Sequence, residues 1–249
     1  MGGFVGLKRI FDLTVCALSA VIWLPALLVC SFLLLISSGR PIFYVSARRV
    51  YKRVSLPMIK FRTMITNAEK IANRDTVPVA EQRFLNIPPD SPLYTPVGRI
   101  FERFCLTELP QLLQVLRGQI SLVGNRPLPE NVIAAIRREF PYVEERFQVR
   151  TGMTGPVQLV GRDNLSDEQR LSLEIEYCQI CQRHSTVLLD FTLLLYTVLI
   201  GAGLMKAFSP REVESLMIRL TVGKRRELYT SGNSLLKKKL TDKVLRRVS

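Results

Sequence analysis

From Leu13 to Ile36 no side chain carries a charge, and apolar residues run almost without interruption through Trp23 and Pro25. A helix over such a stretch is long enough to cross a hydrocarbon core of about 30 Å, so it must bury itself in lipid or against protein. The run exceeds the apolar region of about 7–15 residues in a signal peptide, and no small-residue cleavage site follows it, which argues against a cleaved leader. Basic residues flank both ends: Lys8 and Arg9 before, and Arg40, Arg48, Arg49, Lys52 and Arg53 after. By the positive-inside tendency both ends prefer the cytoplasm. Pro25 removes a backbone donor in mid-helix, so the segment can bend and return to the face it entered. A simple single-pass helix is the alternative.

The formal charge of +14 points to an anionic partner, whether lipid headgroups, a phosphorylated substrate or nucleic acid. Much of it sits at the end of the chain, where Lys224 to Arg226, Lys237 to Lys239, Lys243, Arg246 and Arg247 face only Glu227 and Asp242. Leu236, Leu240, Val244 and Val248 recur at helical spacing among these charges, the pattern of an amphipathic helix on anionic membrane lipids. Tyr229 is the only aromatic residue there, so no nucleic-acid partner is expected. Five cysteines, two of them inside the apolar run, make no disulfide framework, which suits a reducing cytoplasm. Cys178, Cys181 and His184 share a helical spacing but are too few for a structural zinc site.

The division that follows is a membrane anchor over 1–40, a cytoplasmic domain over 41–208 and a basic tail over 209–249. Ile42 to Val45 reads as a short strand, and Ile65 to Arg74 as the one helical piece of a long proline-rich connector reaching 97. Leu109, Leu112, Leu113 and Leu116 have the spacing of a buried helix face, as do Ile133, Ile136 and Phe140 within Pro129 to Phe140. Ser166 or Asp167 starts a helix that runs to His184. Val187 to Met205 is apolar apart from Asp190 and its two threonines, long enough on length alone to cross a bilayer. The fold class expected is α/β with predominant helix. A membrane-associated catalytic-type domain with amphipathic helices follows the N-terminal membrane element.

Four motifs occur in one order: Lys60-Phe61-Arg62-Thr63-Met64, then Thr107-Glu108-Leu109-Pro110-Gln111-Leu112, Ser121 to Pro127, and Thr151 to Gln158 with Gly161-Arg162. Together they resemble the bacterial sugar transferases, the monotopic polyprenyl-phosphate phosphoglycosyl transferases, over roughly residues 6 to 200. The resemblance implies a re-entrant helix-break-helix with proline at the bend, and a segment at Val187 to Met205 that lies against the membrane without crossing it. It implies a protein of the bacterial cytoplasmic membrane with most of the chain on the cytoplasmic side. The implied activity moves a phosphosugar from a nucleotide sugar to a polyprenyl phosphate with Mg²⁺, through a covalent aspartyl intermediate beside a metal-holding glutamate.

Carried onto this chain, the glutamate is Glu108, but the nucleophile position holds Thr107. A threonine hydroxyl needs a base to attack phosphorus, and the only histidine, His184, lies far along the chain. Five residues earlier the family's arginine is replaced by Glu102; Gln119, Asn125 and Thr151 are further departures. The candidate catalytic residues are Thr107 and Glu108, with Glu108 the metal ligand. Lys60, Arg62, Arg126, Arg150 and Arg162 are the candidates for binding a diphosphate. Three readings compete: a transferase with altered catalysis, a silent homologue that binds nucleotide sugar or lipid within a glycan-assembly complex, and a plain membrane anchor. A homodimer is compatible with an exposed amphipathic face, although no residue pattern specifies an interface.

Overall fold

The computed structural model describes residues 2–71, 87, 91–161 and 165–221, with backbone alone for 2–5, 69 and 70. A single helix, α1 (Gly2–Ser38), contains Pro25 in its interior and continues through it. The expected interruption is therefore not an end of helix. Asp12, Cys16, Trp23, Leu27, Cys30 and Leu34 recur every three, four or seven residues and are buried. Leu18, Val21, Ile22, Leu28, Val29, Phe32 and Ile36 make an exposed apolar face. A helix of 37 residues is about 55 Å long, so a stripe buried along this length means that α1 lies along the rest of the protein.

Both ends of α1 are held. Near its start, Arg9 donates to the Val115 and Leu116 carbonyls at 2.5 and 2.7 Å. Asp12 accepts from the Ser121 hydroxyl at 2.8 Å and the Leu122 N–H at 3.1 Å. At its far end, Arg62 donates to the Ser38 and Gly39 carbonyls at 2.5 and 3.1 Å. Arg9 of the basic flank thus satisfies the end of the helix Gln111–Leu116, and Arg62 the end of α1.

A hairpin follows, β1 (Phe43–Tyr51) antiparallel to β2 (Val54–Phe61), with Tyr44 opposite Lys60. The strand expected at Ile42 to Val45 runs on to Tyr51 because its charges find partners far along the chain. The Arg49 side chain binds Glu130 and Glu144, and its N–H donates to the Leu128 carbonyl. After a four-residue helix, α2 (Ala68–Ile71), Thr95 caps α3 (Pro96–Arg103) by accepting from the Gly98 N–H at 3.0 Å.

Leu106–Glu108 form a 3₁₀ turn, and α4 (Gln111–Leu116) is shorter than the leucine spacing suggests. Its leucines are half-buried towards the α1 cluster of Trp23, Leu27 and Phe101. The most enclosed residues are Gln111, Gln114 and Val115. Gln114 accepts from the Ile59 N–H at 3.0 Å and donates to the Pro57 carbonyl at 2.8 Å, serving β2 as a strand partner would.

The remaining elements are β3 (Ser121–Val123), α5 (Glu130–Glu139), a 3₁₀ segment Val143–Phe147, β4 (Gly152–Thr154), α6 (Pro156–Val160), α7 (Asp167–Arg183), α8 (Val187–Gly201) and α9 (Pro210–Thr221). β3 and β4 pair in parallel, Ser121 with Gly152 and Val123 with Thr154. Ser166 caps α7 in a reciprocal box with Gln169. The apolar α8 has 15 residues, about 22 Å, too short for the hydrocarbon core. Its Asp190 is fully buried, bonded to Lys8 at 2.6 Å, to the Tyr177 hydroxyl at 2.7 Å and to Thr186 at 2.9 Å. The helix-rich α/β class expected from the sequence is the class observed. The proposed tail helix at 234–248 lies outside the described residues, as does the connector helix beyond Ile71.

Candidate active site

β2, the 3₁₀ turn and the segment after β3 converge on one carboxylate. Glu108 Oε1 accepts from Lys60 Nζ at 2.6 Å and from Arg126 Nη2 at 2.5 Å. These three side chains line a small cleft with Arg48, Met58, Gln111, Pro127, Gly152 and Met153, whose cavity of about 10 Å³ holds one water or a small ion. Burial alone would push the Glu108 carboxyl up, yet the charges of Arg126 and Lys60 hold it well below the usual carboxylate range. Burial, aided by Arg126 and Arg48 and opposed by Glu108, brings the Lys60 ammonium down to about 8. Glu108 in turn raises the already high pKa of Arg126. The cleft thus carries three cations against one anion, a balance suited to a phosphate-bearing ligand.

Arg126 is set from behind. Gly152 and Gly124 cross so closely that a Cβ on Gly152 would lie 2.2 Å from the Gly124 nitrogen. Gly152 N–H donates to the Asn125 carbonyl at 2.9 Å. The buried Asn125 side chain donates to the Arg146 and Glu174 carbonyls, each at 2.9 Å. Arg146 grips Glu174 through two 2.6 Å bonds and donates to the Arg126 carbonyl at 2.8 Å. Cys178 joins this frame by donating to the Arg146 carbonyl, and burial pushes its thiol up to about 12. The cysteine therefore acts as a small buried side chain.

Thr107 is buried at 8 % exposure, and its hydroxyl donates to Glu102 Oε2 at 2.8 Å. A carboxylate does stand beside this threonine, which sequence spacing alone did not reveal. The cleft gathers Lys60, Glu108 and Arg126, and its lining leaves out three other candidates, Thr107, Arg62 and Arg150. Arg62 is engaged at the end of α1, and Arg150 donates to the Gly118 carbonyl at 2.6 Å. Arg162 lies outside the described residues. Arg48 and Met153 line the cleft without any motif to announce them.

A model of the bacterial sugar transferase family matches residues 4–203. The chain belongs to the bacterial sugar transferases. The exopolysaccharide production protein ExoY of Sinorhizobium fredii is 32 % identical over 176 residues, covering 69 % of this chain and 76 % of the relative. The UDP-galactose-lipid carrier transferase of Erwinia amylovora is 36 % identical over 176 residues, and the undecaprenyl-phosphate galactose phosphotransferase of Salmonella typhimurium 31 % over 176. Each of these two matches covers 69 % of this chain but only 36 % of the relative. The Lys60–Glu108–Arg126 cluster draws one residue from each of the first three of the four motifs.

A single carboxylate is what the cleft offers to a metal ion. Among the described residues no three His, Cys, Asp or Glu side chains gather into a metal cage, and none hydrogen-bonds Glu108 Oε2. Mg²⁺ commonly binds through one or two carboxylates plus substrate phosphates and water, and Glu108 fits that arrangement.

Proposed function

We propose that this sugar transferase moves a phosphosugar from a UDP-sugar to a polyprenyl phosphate, the step that initiates an exopolysaccharide, O-antigen or other glycoconjugate. The observation that carries the reading is the ion cluster of Lys60, Glu108 and Arg126 at the cleft of a family member. Lys60, Arg126 and Arg48 bind the diphosphate, Arg126 through a planar fork and Lys60 as a point charge. Glu108 is the residue that would hold a Mg²⁺ ion, whose chemistry there would be to neutralise charge on the diphosphate. Arg62 and Arg150 act at one remove, by fixing the end of α1 and the Gly118 turn.

The membrane geometry is part of the reading. α1 stays on one side of the bilayer with its outward apolar face in the lipid, because both its ends bond to the same domain. The domain, and most of the chain with it, sits on the cytoplasmic surface, and the basic tail adds contact with anionic lipids.

The test is release of uridine monophosphate from a panel of UDP-sugars by detergent-purified protein supplied with polyprenyl phosphate and Mg²⁺. Release that requires lipid and is lost in Glu108→Gln is the expected result. Thr107 at the nucleophile position favours a second reading, a silent homologue. Retained nucleotide-sugar binding with no release from any donor would select it.

A further inference from the structure

The α3 helix ends at Arg103, and Cys105 turns the chain with left-handed dihedrals, φ +56° and ψ +22°. A non-glycine residue in that region costs about 1 kcal/mol or more, so the reversal is held by what it brings together. It folds the 3₁₀ turn back on the last turn of α3 and sets the Thr107 hydroxyl against Glu102, five residues earlier. The same carboxylate reaches the cleft electrostatically: Arg126 is raised first by Glu108 and further by Glu102. Glu108 is already engaged by two cations, whereas Glu102 is the carboxylate in contact with the Thr107 hydroxyl.

Glu102 and Thr107 form an acid–hydroxyl pair in which the buried Thr107 hydroxyl donates to the Glu102 carboxylate. From this pairing and its 2.8 Å contact we infer that Glu102 is the general base that activates Thr107 as the nucleophile. Carboxylates serve the same purpose for hydroxyl nucleophiles in protein kinases, where an aspartate accepts the hydroxyl proton during phosphoryl transfer. In the first half-reaction, Thr107 Oγ forms a bond to the sugar-bearing phosphorus. The bond from that phosphorus to the bridging oxygen breaks, nucleoside monophosphate leaves with the electron pair, and the Thr107 proton passes to Glu102. In the second, a polyprenyl phosphate oxygen attacks the same phosphorus, the threonyl ester bond breaks, and Glu102 returns the proton to Oγ. The inference rests on the transferase reading above and specifies its nucleophile and base.

The experiment measures lipid-dependent monophosphate release by the full-length wild type, Glu102→Gln, Thr107→Val, Thr107→Ser and the double variant Glu102→Arg/Thr107→Asp, each checked for thermal unfolding. Glu102→Gln keeps an acceptor for the hydroxyl but cannot take the proton. It should lower kcat by about 10²–10⁴-fold with little change in KM, and erase the acidic limb of the wild-type pH–rate profile. Thr107→Val should fall to background, and Thr107→Ser far less. The trapped wild-type phosphosugar adduct should map to Thr107 and resist neutral hydroxylamine, because a threonyl ester is not an acyl phosphate. The double variant should be active through a hydroxylamine-sensitive adduct. An active wild type with an undiminished Thr107→Val or Glu102→Gln variant, or with a hydroxylamine-labile adduct, overturns the inference and leaves the transferase reading intact. A silent wild type beside an active double variant makes the native chain a silent homologue and overturns both, as does silence in both proteins.

Discussion

Lys60 gives the cleft a pH response that can be worked through. In the free protein its ammonium titrates near 8, because burial outweighs the attraction of Glu108. A bound diphosphate adds negative charge beside it, so its pKa rises in the complex. Binding therefore takes up a proton above pH 8 and weakens with rising pH until the pKa of the complex is passed; below 8 it should be flat. A hydrogen bond to a charged group contributes about 1.5–3 kcal/mol, which makes the loss about 10- to 150-fold in Kd. Isothermal titration of a UDP-sugar into the protein without lipid acceptor, from pH 6.5 to 10, reads this directly. Lys60→Arg keeps its charge throughout and should bind with no inflection, whereas Lys60→Met should bind weakly and equally at all pH values. A flat wild-type curve, or an inflection that survives in Lys60→Arg, would refute the argument. The same shift bears on stability with the opposite sense: the unfolded chain keeps the Lys60 proton up to its ordinary 10.5. This group then makes unfolding harder as pH rises from 8 towards 10.5, by at most about 3 kcal/mol.

Glu174→Ala should cost about 3–5 kcal/mol and lower the thermal midpoint, since it strands the Arg146 guanidinium in the interior behind Arg126. Gly152→Ala should prevent normal folding, because the Cβ would meet the Gly124 backbone at 2.2 Å; Gly39→Ala, with nothing within 4 Å, is strained only by its φ of +65° and should lose about 1–2 kcal/mol by denaturant titration. Glu176 is buried, and desolvation together with Glu214 pushes it up to about 8. Its folded pKa lies above its unfolded value, so stability is lost as pH climbs from about 4.5 to 8. Glu176→Gln should remove that loss, by at most about 5 kcal/mol, and show a midpoint gain at pH 8 that vanishes at pH 4.5.

Local signals in the sequence were read well where side chains act within their own helix. Ser166 or Asp167 announced the start of α7, and Ile133 with Ile136 the buried face of α5. The motif residues Lys60, Glu108 and Arg126 also meet as their shared chemistry suggested. What spacing could not carry were contacts between distant segments. Asp190 looked like the one blemish in an apolar span, yet it is the buried partner of Lys8, 182 residues away. Arg62 was a diphosphate candidate from the same motif as Lys60, but its guanidinium reaches the open carbonyls of α1. Arg48 carries no motif and enters the cleft only because the hairpin register brings β1 alongside β2.

The departure at Thr107 has a physical logic once its neighbour is included. An arginine left at position 102 would face a neutral hydroxyl, offer it no proton acceptor, and add positive charge near Arg126. Glutamate at that position reverses both effects: it supplies the acceptor at 2.8 Å and places a second negative charge near Arg126. Either substitution alone leaves the site with a mismatch, in one case a hydroxyl without a base, in the other two carboxylates at positions 102 and 107 with no cation between them. Single variants should therefore show coupling. The loss from Glu102→Arg alone and the loss from Thr107→Asp alone should sum to far more than the loss in the double variant, a departure from additivity expected for groups in direct contact. Additive losses across that cycle would mean that the 102–107 contact is incidental to turnover.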